Sequence, residues 1–460
     1  MALALQRAVA ADDDLPLQAQ EIPTFVFGAL TRLQQARCFI LAFRQNDVAQ
    51  CRAWLRQLAD RLSYGLSSKT APAHVLGLTA GGLRALGLAA TDLDTFPAAF
   101  VNGMTAVPRA RALGDTCARS PSLWNWGNDR APADAAVLVY GSSAEDLGMA
   151  IAALPVSPAV RVICEVTLQE RVPNYANEPF GFVDGISQPA IPGTPPAVFQ
   201  PTDHQVKAGE FILGYRDNSG YVAPGPTVAA RNDPGNILTP LTAAAHDLGR
   251  NSTFLVIRQL RQHVQAFNTW CKAAATPQMP PDTVKAKLVG RWQNATSLVR
   301  NPDAPGTGDP DNDFCFGRDD PLALACPRGA HIRRGNARDA LHPTLPNALD
   351  ISNRHRILRV GRPYVVPPAT DPDGLLFMCL NAEIERQFEF LQQSWMLRRS
   401  FDGLRNESDA LLGANMGAGK LTVQTGNAPV FLTGMPDFVT PIGGGYFWLP
   451  SRTAVKFLSA

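Results

Sequence analysis

The sequence predicts an α+β fold made of two ferredoxin-like, split-βαβ halves, with antiparallel sheets and helices packed outside them. Two observations predict it. Strand–helix–strand patterns follow one another between residues 36 and 168, and the same rhythm returns after a turn-rich interval at 188–250. A third bounds it: 460 residues, 45% of them apolar, suffice for two or three domains with a buried core. The expected divisions are a lead over 1–30, an N-terminal half over 31–208 and a C-terminal half over 209–460.

Ala36–Phe43 (ARCFILAF) reads as a buried strand. Asp47–Leu62 carries Val48, Cys51, Trp54, Leu55, Leu58 and Leu62 at helical spacing. Ala73–Leu78 and Thr79–Leu88 suggest a second strand and a glycine-weakened helix, and Ala136–Tyr140 (AVLVY) a third strand. Ser142-Ser-Ala-Glu145 looks like a capping box opening a helix to Leu154, followed by a strand over Val160–Leu168. In the C-terminal half, Ser252–Val256 reads as a strand and Arg258–Ala275 as an amphipathic helix. Leu375–Leu380 is a strand, Glu383–Arg398 a helix with Ile384, Phe388, Leu391 and Trp395 on one face, and Tyr446–Leu449 a last strand. Residues 300–350 are rich in Asp, Pro and Gly; loops of that length usually carry function or lack order.

Composition excludes several partners. With 42 basic and 40 acidic residues, a net charge of +2 gives no global field for nucleic acid or an anionic membrane. No apolar run approaches the ~20 residues that span a bilayer. The apolar amino terminus is broken by Gln6 and Arg7 and lacks a basic leader, so a cytoplasmic location is expected. The eight cysteines form no CxxC or CxxCH, which argues against zinc ribbons, iron–sulfur centres and covalent haem; they read as buried small hydrophobes.

Three stretches carry candidate chemistry. In Asn177-Glu-Pro-Phe-Gly-Phe-Val-Asp184-Gly-Ile-Ser-Gln-Pro189, Gly181 and Gly185 flank an acid in a turn, allowing close backbone approach to a planar or anionic ligand. In Ala325-Cys-Pro-Arg-Gly-Ala-His331-Ile-Arg-Arg-Gly-Asn-Ala-Arg338, a histidine suited to iron sits among arginines suited to carboxylates, with Cys326 as a competing thiolate. In Arg354-His-Arg-Ile-Leu-Arg359-Val-Gly-Arg-Pro-Tyr364, a short strand leaves Arg359 at its end. Each alone also fits an ordinary reading: an acid in a tight turn, a buried histidine, a surface arginine.

Together and in this order they resemble the dye-decolorizing peroxidase family. GFVDG is similar to its GxxDG signature, CPRGAHIRRGNAR to its CPxxAHIRxxNPR stretch, and ILRVGRPY to its ILRxGxPY stretch; the likeness continues through 374–395 and 443–458. The first 150 residues match only in rhythm. The long C-terminal half looks like the large bacterial and fungal-type members. Two positions depart from the pattern: Ala337 stands where the family has proline, and Val360 where a second arginine is frequent.

The resemblance implies one haem b per chain, held mainly by the C-terminal half. It implies His331 as the axial iron ligand and Asp409 as the carboxylate on its other ring nitrogen. Asp184, followed by Gly185, would be the distal acid–base and Arg359 the charge stabiliser, with Arg338 on a propionate and Leu375 and Phe377 keeping the pocket dry. Hydrogen peroxide and small aromatic or dye-like reductants would be the substrates, without nucleic acid or membrane and with an oligomer open. A carboxylate in the distal role implies an acidic working range. Trp395, Trp448, Tyr364 and Tyr446 are candidates for relaying electrons, or ordinary core. A haem carrier or store with incidental peroxidase activity is the alternative.

Overall fold

Eight antiparallel strands close into a ring in the computed structural model, which describes residues 16–68, 70–170, 177–194, 205–308, 312–367 and 372–460. The first half contributes β1 (Gln35–Phe43), α1 (Val48–Ala59), β2 (Ala73–Leu78), β3 (Ala135–Gly141), α2 (Ala144–Ala152) and β4 (Val160–Leu168). The second contributes β5 (Thr253–Gln262), α3 (Val264–Ala273), α4 (Pro281–Val289), α5 (His331–Gly335), β6 (Leu358–Arg359), β7 (Arg362–Val365) and β8 (Pro372–Asn381). It ends with β9 (Gly419–Val423), β10 (Val430–Met435), β11 (Val439–Leu449) and α6 (Arg452–Ser459).

Around the ring the order is β4-β1-β3-β2-β11-β5-β8-β7, and β7 pairs back onto β4. Within each half the first strand lies between the last and the third, so both halves have the ferredoxin-like arrangement expected of the sequence. They meet at two narrow seams: Trp448 opposite Leu78, and Tyr364 and Val365 opposite Leu168 and Thr167. Closure pairs strand edges that would otherwise be open.

The strands β1, β2 and β3 read as apolar runs because both faces are covered. Along β1, Ala36, Cys38 and Ile40 point into the ring with Leu138, Ile257, Met378 and Phe447. Phe39, Leu41 and Phe43 point outward onto Trp54, Leu55 and Leu58 of α1. Each such side chain contributes about 1.5–3 kcal/mol on burial. Asp47 caps α1 by accepting the Gln50 N–H at 3.4 Å.

Three elements differ from the sequence reading. The cap of α2 is Ser143, which accepts the Asp146 N–H at 3.1 Å, while Ser142 bonds the Asp146 carboxylate; the box starts one residue later. The helix expected from Arg258 begins only at Val264, since β5 continues to Gln262. The polar residues that resembled a helix's wet face are partnered: Arg258 with Asp115, Gln259 with Trp126 at 2.7 Å and Gln262 with Glu178. The helix expected over 383–398 is wound wide, with π-type turns at Glu385–Glu389 and Leu391–Met396. Residues 1–15 of the expected lead lie outside the described residues. No helix among the described residues is long and apolar enough to cross a membrane.

Glu210 ties the 208–218 turn to that wide helix. Fully buried, it accepts Arg386 Nη1 at 2.8 Å, and its carbonyl accepts Gln387 Nε2 at 2.8 Å. Burial pushes its carboxyl up to about 7 against the pull of Arg386, with Asp217 adding to the rise. The folded chain therefore holds this proton more tightly than the unfolded chain. Its contribution to stability is complete below about pH 4.5 and is lost as pH rises through about 7, on the order of 3 kcal/mol in all. Chemical denaturation between pH 4 and 8 should show that decline, and Glu210→Gln should flatten it.

Candidate active site

His331 opens the one-turn helix α5, directly after Ala330. Its Nδ1 lies 3.0 Å from Oδ2 of Asp409, which is fully buried. Asp409 Oδ1 accepts the N–H groups of Leu411 (3.0 Å) and Leu412 (2.7 Å), so the acid is fixed before it meets the ring. Burial disfavours the charge on both partners, but mutual attraction and the shared hydrogen bond outweigh it: the imidazole is raised and the carboxyl lowered. In the neutral ring the hydrogen bond to Asp409 keeps the proton on Nδ1 and leaves the lone pair on Nε2, which has no partner among the described residues.

Across the cavity, Asp184 Oδ1 accepts the Gly185 N–H at 2.6 Å and Arg359 Nη1 at 3.3 Å. Oδ2 has no protein donor among the described residues. Gly185 has φ +85, which lets the chain turn sharply behind the acid. Gln188 steadies Arg359 from the same loop: its Oε1 accepts the Arg359 N–H at 3.1 Å and its Nε2 donates to the Arg359 carbonyl at 2.8 Å.

Two contiguous cavities share Ser187, His331, Ile332, Arg359, Phe377 and Leu412. One also holds Asp184, Gly185 and Leu375; the other adds Phe388, Leu391, Gln392 and Met396 from the wide helix. Leu375 and Phe377 alternate along β8 with Leu376 and Met378, which point into the ring, so one strand serves both pocket and core.

The arginines expected around His331 are engaged elsewhere. Arg333 pairs with Asp320 at 3.2 Å, Arg328 with Asp402 at 2.9 Å, and Arg334 donates to the carbonyls of Trp395 and Glu407. Arg333, two positions after the histidine, lies across the helix from it, while Arg334, three positions on, is held by the carbonyls of Trp395 and Glu407. Arg338 stacks 3.9 Å over Phe314 and donates to Asn312 at 2.7 Å; it lines neither cavity.

Sequence reasoning missed Arg356. It is 5% exposed, lines the cavity, has no acidic partner among the described residues, and reaches only the Ser187 carbonyl at 3.4 Å. Burial and the neighbouring Arg359 lower it to about 10. The available signal was its place directly before the apolar pair Ile357–Leu358 that leads into β6. Cys326, the rival ligand, lines neither cavity, and burial pushes its thiol up to about 12. Trp395, Trp448, Tyr364 and Tyr446 are all buried, so none presents a surface ring. No three His, Cys, Asp or Glu side chains gather as a metal site among the described residues.

This architecture is the fold of the DyP-type peroxidases. The chain superimposes with TM-score 0.76 on a DyP-type peroxidase from Anabaena sp., at 21% identity and covering 96% of this chain and 94% of that one. A fungal DyP-type peroxidase from Auricularia auricula-judae gives TM-score 0.76 at 23% identity, over 97% and 100% of the two chains.

By sequence the chain is similar to dye-decolorizing peroxidases. It is 29% identical over 318 residues to one from Mycetinis scorodonius, covering 61% of this chain and 56% of that protein. It is 28% identical over 459 residues to one from Mycena epipterygia, covering 86% and 78%. The chain thus spans little more than half the length of several curated relatives it matches. No family model matches it.

The cavity fits haem on its own evidence. It offers one imidazole nitrogen with a free lone pair, apolar walls at Ile332, Phe377, Phe388, Leu391 and Leu412, and a buried, unpaired guanidinium suited to a carboxylate.

Proposed function

We propose that the chain is a haem peroxidase that uses hydrogen peroxide to oxidise small aromatic or dye-like reductants one electron at a time, with one haem b per chain. One observation carries the reading: a carboxylate-held histidine and an aspartate–arginine pair face the same largely apolar cavity. When bound, haem supplies an iron that takes two oxidising equivalents from peroxide and passes them on singly.

The residues divide the remaining work. Asp409 orients His331 and makes its Nε2 a stronger donor. Asp184 moves a proton at Oδ2, the oxygen left open by Gly185 and Arg359, from one peroxide oxygen to the other. The Arg359 guanidinium offsets negative charge on the departing oxygen. Leu375 and Phe377 exclude bulk water and admit only small oxidants.

Arg356, rather than Arg338, is suited to a propionate. Arg356→Met is expected to weaken haem retention about 10- to 100-fold, the value of a charge-assisted hydrogen bond, and Arg338→Met much less. Haem absorbance per protein during dilution measures both. The reading itself is tested by the absorption spectrum of purified protein and by peroxide-dependent oxidation of a dye. Absence of a Soret band after haem supply removes it.

A further inference from the structure

The loop that presents Asp184 is closed by a carboxyl that the chemistry above leaves unused. Glu178 accepts the Phe180 N–H on Oε2 at 3.1 Å and the Phe182 N–H on Oε1 at 3.0 Å. Its own N–H donates to the Phe182 carbonyl at 2.9 Å, and the Gly181 N–H donates to the Glu178 carbonyl at 2.7 Å. From β5, Gln262 Nε2 donates to Oε2 at 2.5 Å, while the buried Gln262 Oε1 has no partner among the described residues.

The clasp has no slack. Gly181 has φ +92, and a Cβ there would come within 2.5 Å of Gln293 Nε2. That amide donates to the Phe180 carbonyl at 2.7 Å, and the Gln293 carbonyl accepts the Val183 N–H at 3.3 Å. Phe180 and Phe182 are both buried, and Phe180 stacks on Phe267 at 4.4 Å. The chain is thereby fixed from residue 178 to the residue before Asp184.

Glu178 also faces the cavity. The charged groups it meets there are Asp184 from its own loop, Arg291 from the turn after α4, His331 from α5 and Arg359 from β6; Gln262 is neutral. Burial raises its carboxyl above the usual range and the Asp184 charge adds to this, while the hydrogen bonds from Gln262, Phe182 and Phe180 oppose it.

We propose that Glu178 is the positioning residue for Asp184: its carboxyl holds the loop that aims Asp184 at the cavity and places a second acid beside it. The inference rests on the peroxidase reading. A misaimed proton-transfer group costs about 10- to 100-fold in rate.

In the haem-loaded protein, Glu178→Ala should therefore lower the rate constant for hydrogen peroxide by about 10- to 100-fold. The KM for the reductant and the haem content should stay unchanged. Glu178→Gln, which keeps one acceptor oxygen, should fall between. In Glu178→Gln the pH midpoint of fluoride binding, followed by absorbance, should move to lower pH because a negative neighbour is gone. A lowered Tm with wild-type peroxide kinetics and an unmoved fluoride midpoint would overturn the proposal. Should Glu178→Ala fail to fold, Glu178→Gln decides. If the wild type binds haem and fluoride but does not react with peroxide, the peroxidase reading fails while the fluoride comparison still judges Glu178.

Discussion

Asp184→Asn is expected to lower the rate constant for hydrogen peroxide by ~10²–10⁴-fold, the usual contribution of a placed acid–base group. Haem content and resting spectrum should stay at wild-type values. The side-chain oxygen of asparagine can still accept from Gly185 and Arg359, so the loop has no reason to move. What disappears is the ability to take a proton at the open position. Stopped-flow mixing with peroxide measures the effect, and a loss under threefold would assign the proton transfer to another group. Arg359→Lys should be less harmful than Arg359→Leu, because the charge persists while the guanidinium geometry does not.

His331→Ala is expected to yield protein that loses most of its haem on gel filtration, with partial recovery when imidazole is added. Asp409→Asn should retain the ligand but weaken haem affinity about 10- to 100-fold, as found for carboxylates that orient metal-bound histidines. The comparison is read from Soret absorbance per protein. A wild-type spectrum in His331→Ala would remove this histidine from the axial position. The Asp409 change also leaves the N–H groups of Leu411 and Leu412 facing a weaker acceptor, so some loss of Tm accompanies it.

Much of the fold was legible because β1 and β3 are apolar runs bounded by turn residues, and α1 announces itself by Cys51, Trp54, Leu55 and Leu58. The extension of β5 was not legible. Arg258, Gln259 and Gln262 look solvated until their distant partners Asp115, Trp126 and Glu178 are brought to them, and those pairings are made by tertiary structure alone. Wide helical turns at 385–396 are similarly hidden, since Ile384, Phe388, Leu391 and Trp395 follow ordinary α-helical spacing and do not announce the π-type winding.

At the site, sequence placed Asp184, His331 and Arg359 in motifs, and these three share one cavity. It misjudged the cations. A cluster of arginines near His331 in the chain implied carboxylate binding there, yet Arg328, Arg333 and Arg334 serve as struts to Asp402, Asp320 and backbone carbonyls. Proximity along a chain says little about facing when the helix is one turn long. Arg356, which has no acidic partner among the described residues, comes from a different segment.

The matching strand order of the two halves has a further consequence. Seen as one plan used twice, the molecule has two equivalent outer faces with different coverings. In the first copy, α1 and α2 press Trp54, Leu55, Leu58 and Leu147 onto the strands. In the second copy, the position of α2 is taken by the loosely wound 385–396 segment, whose Phe388, Leu391, Gln392 and Met396 stand back as a wall. One wall of the cavity is thus set by a widely wound segment laid over a scaffold that both halves share, without a change in the strands of the ring.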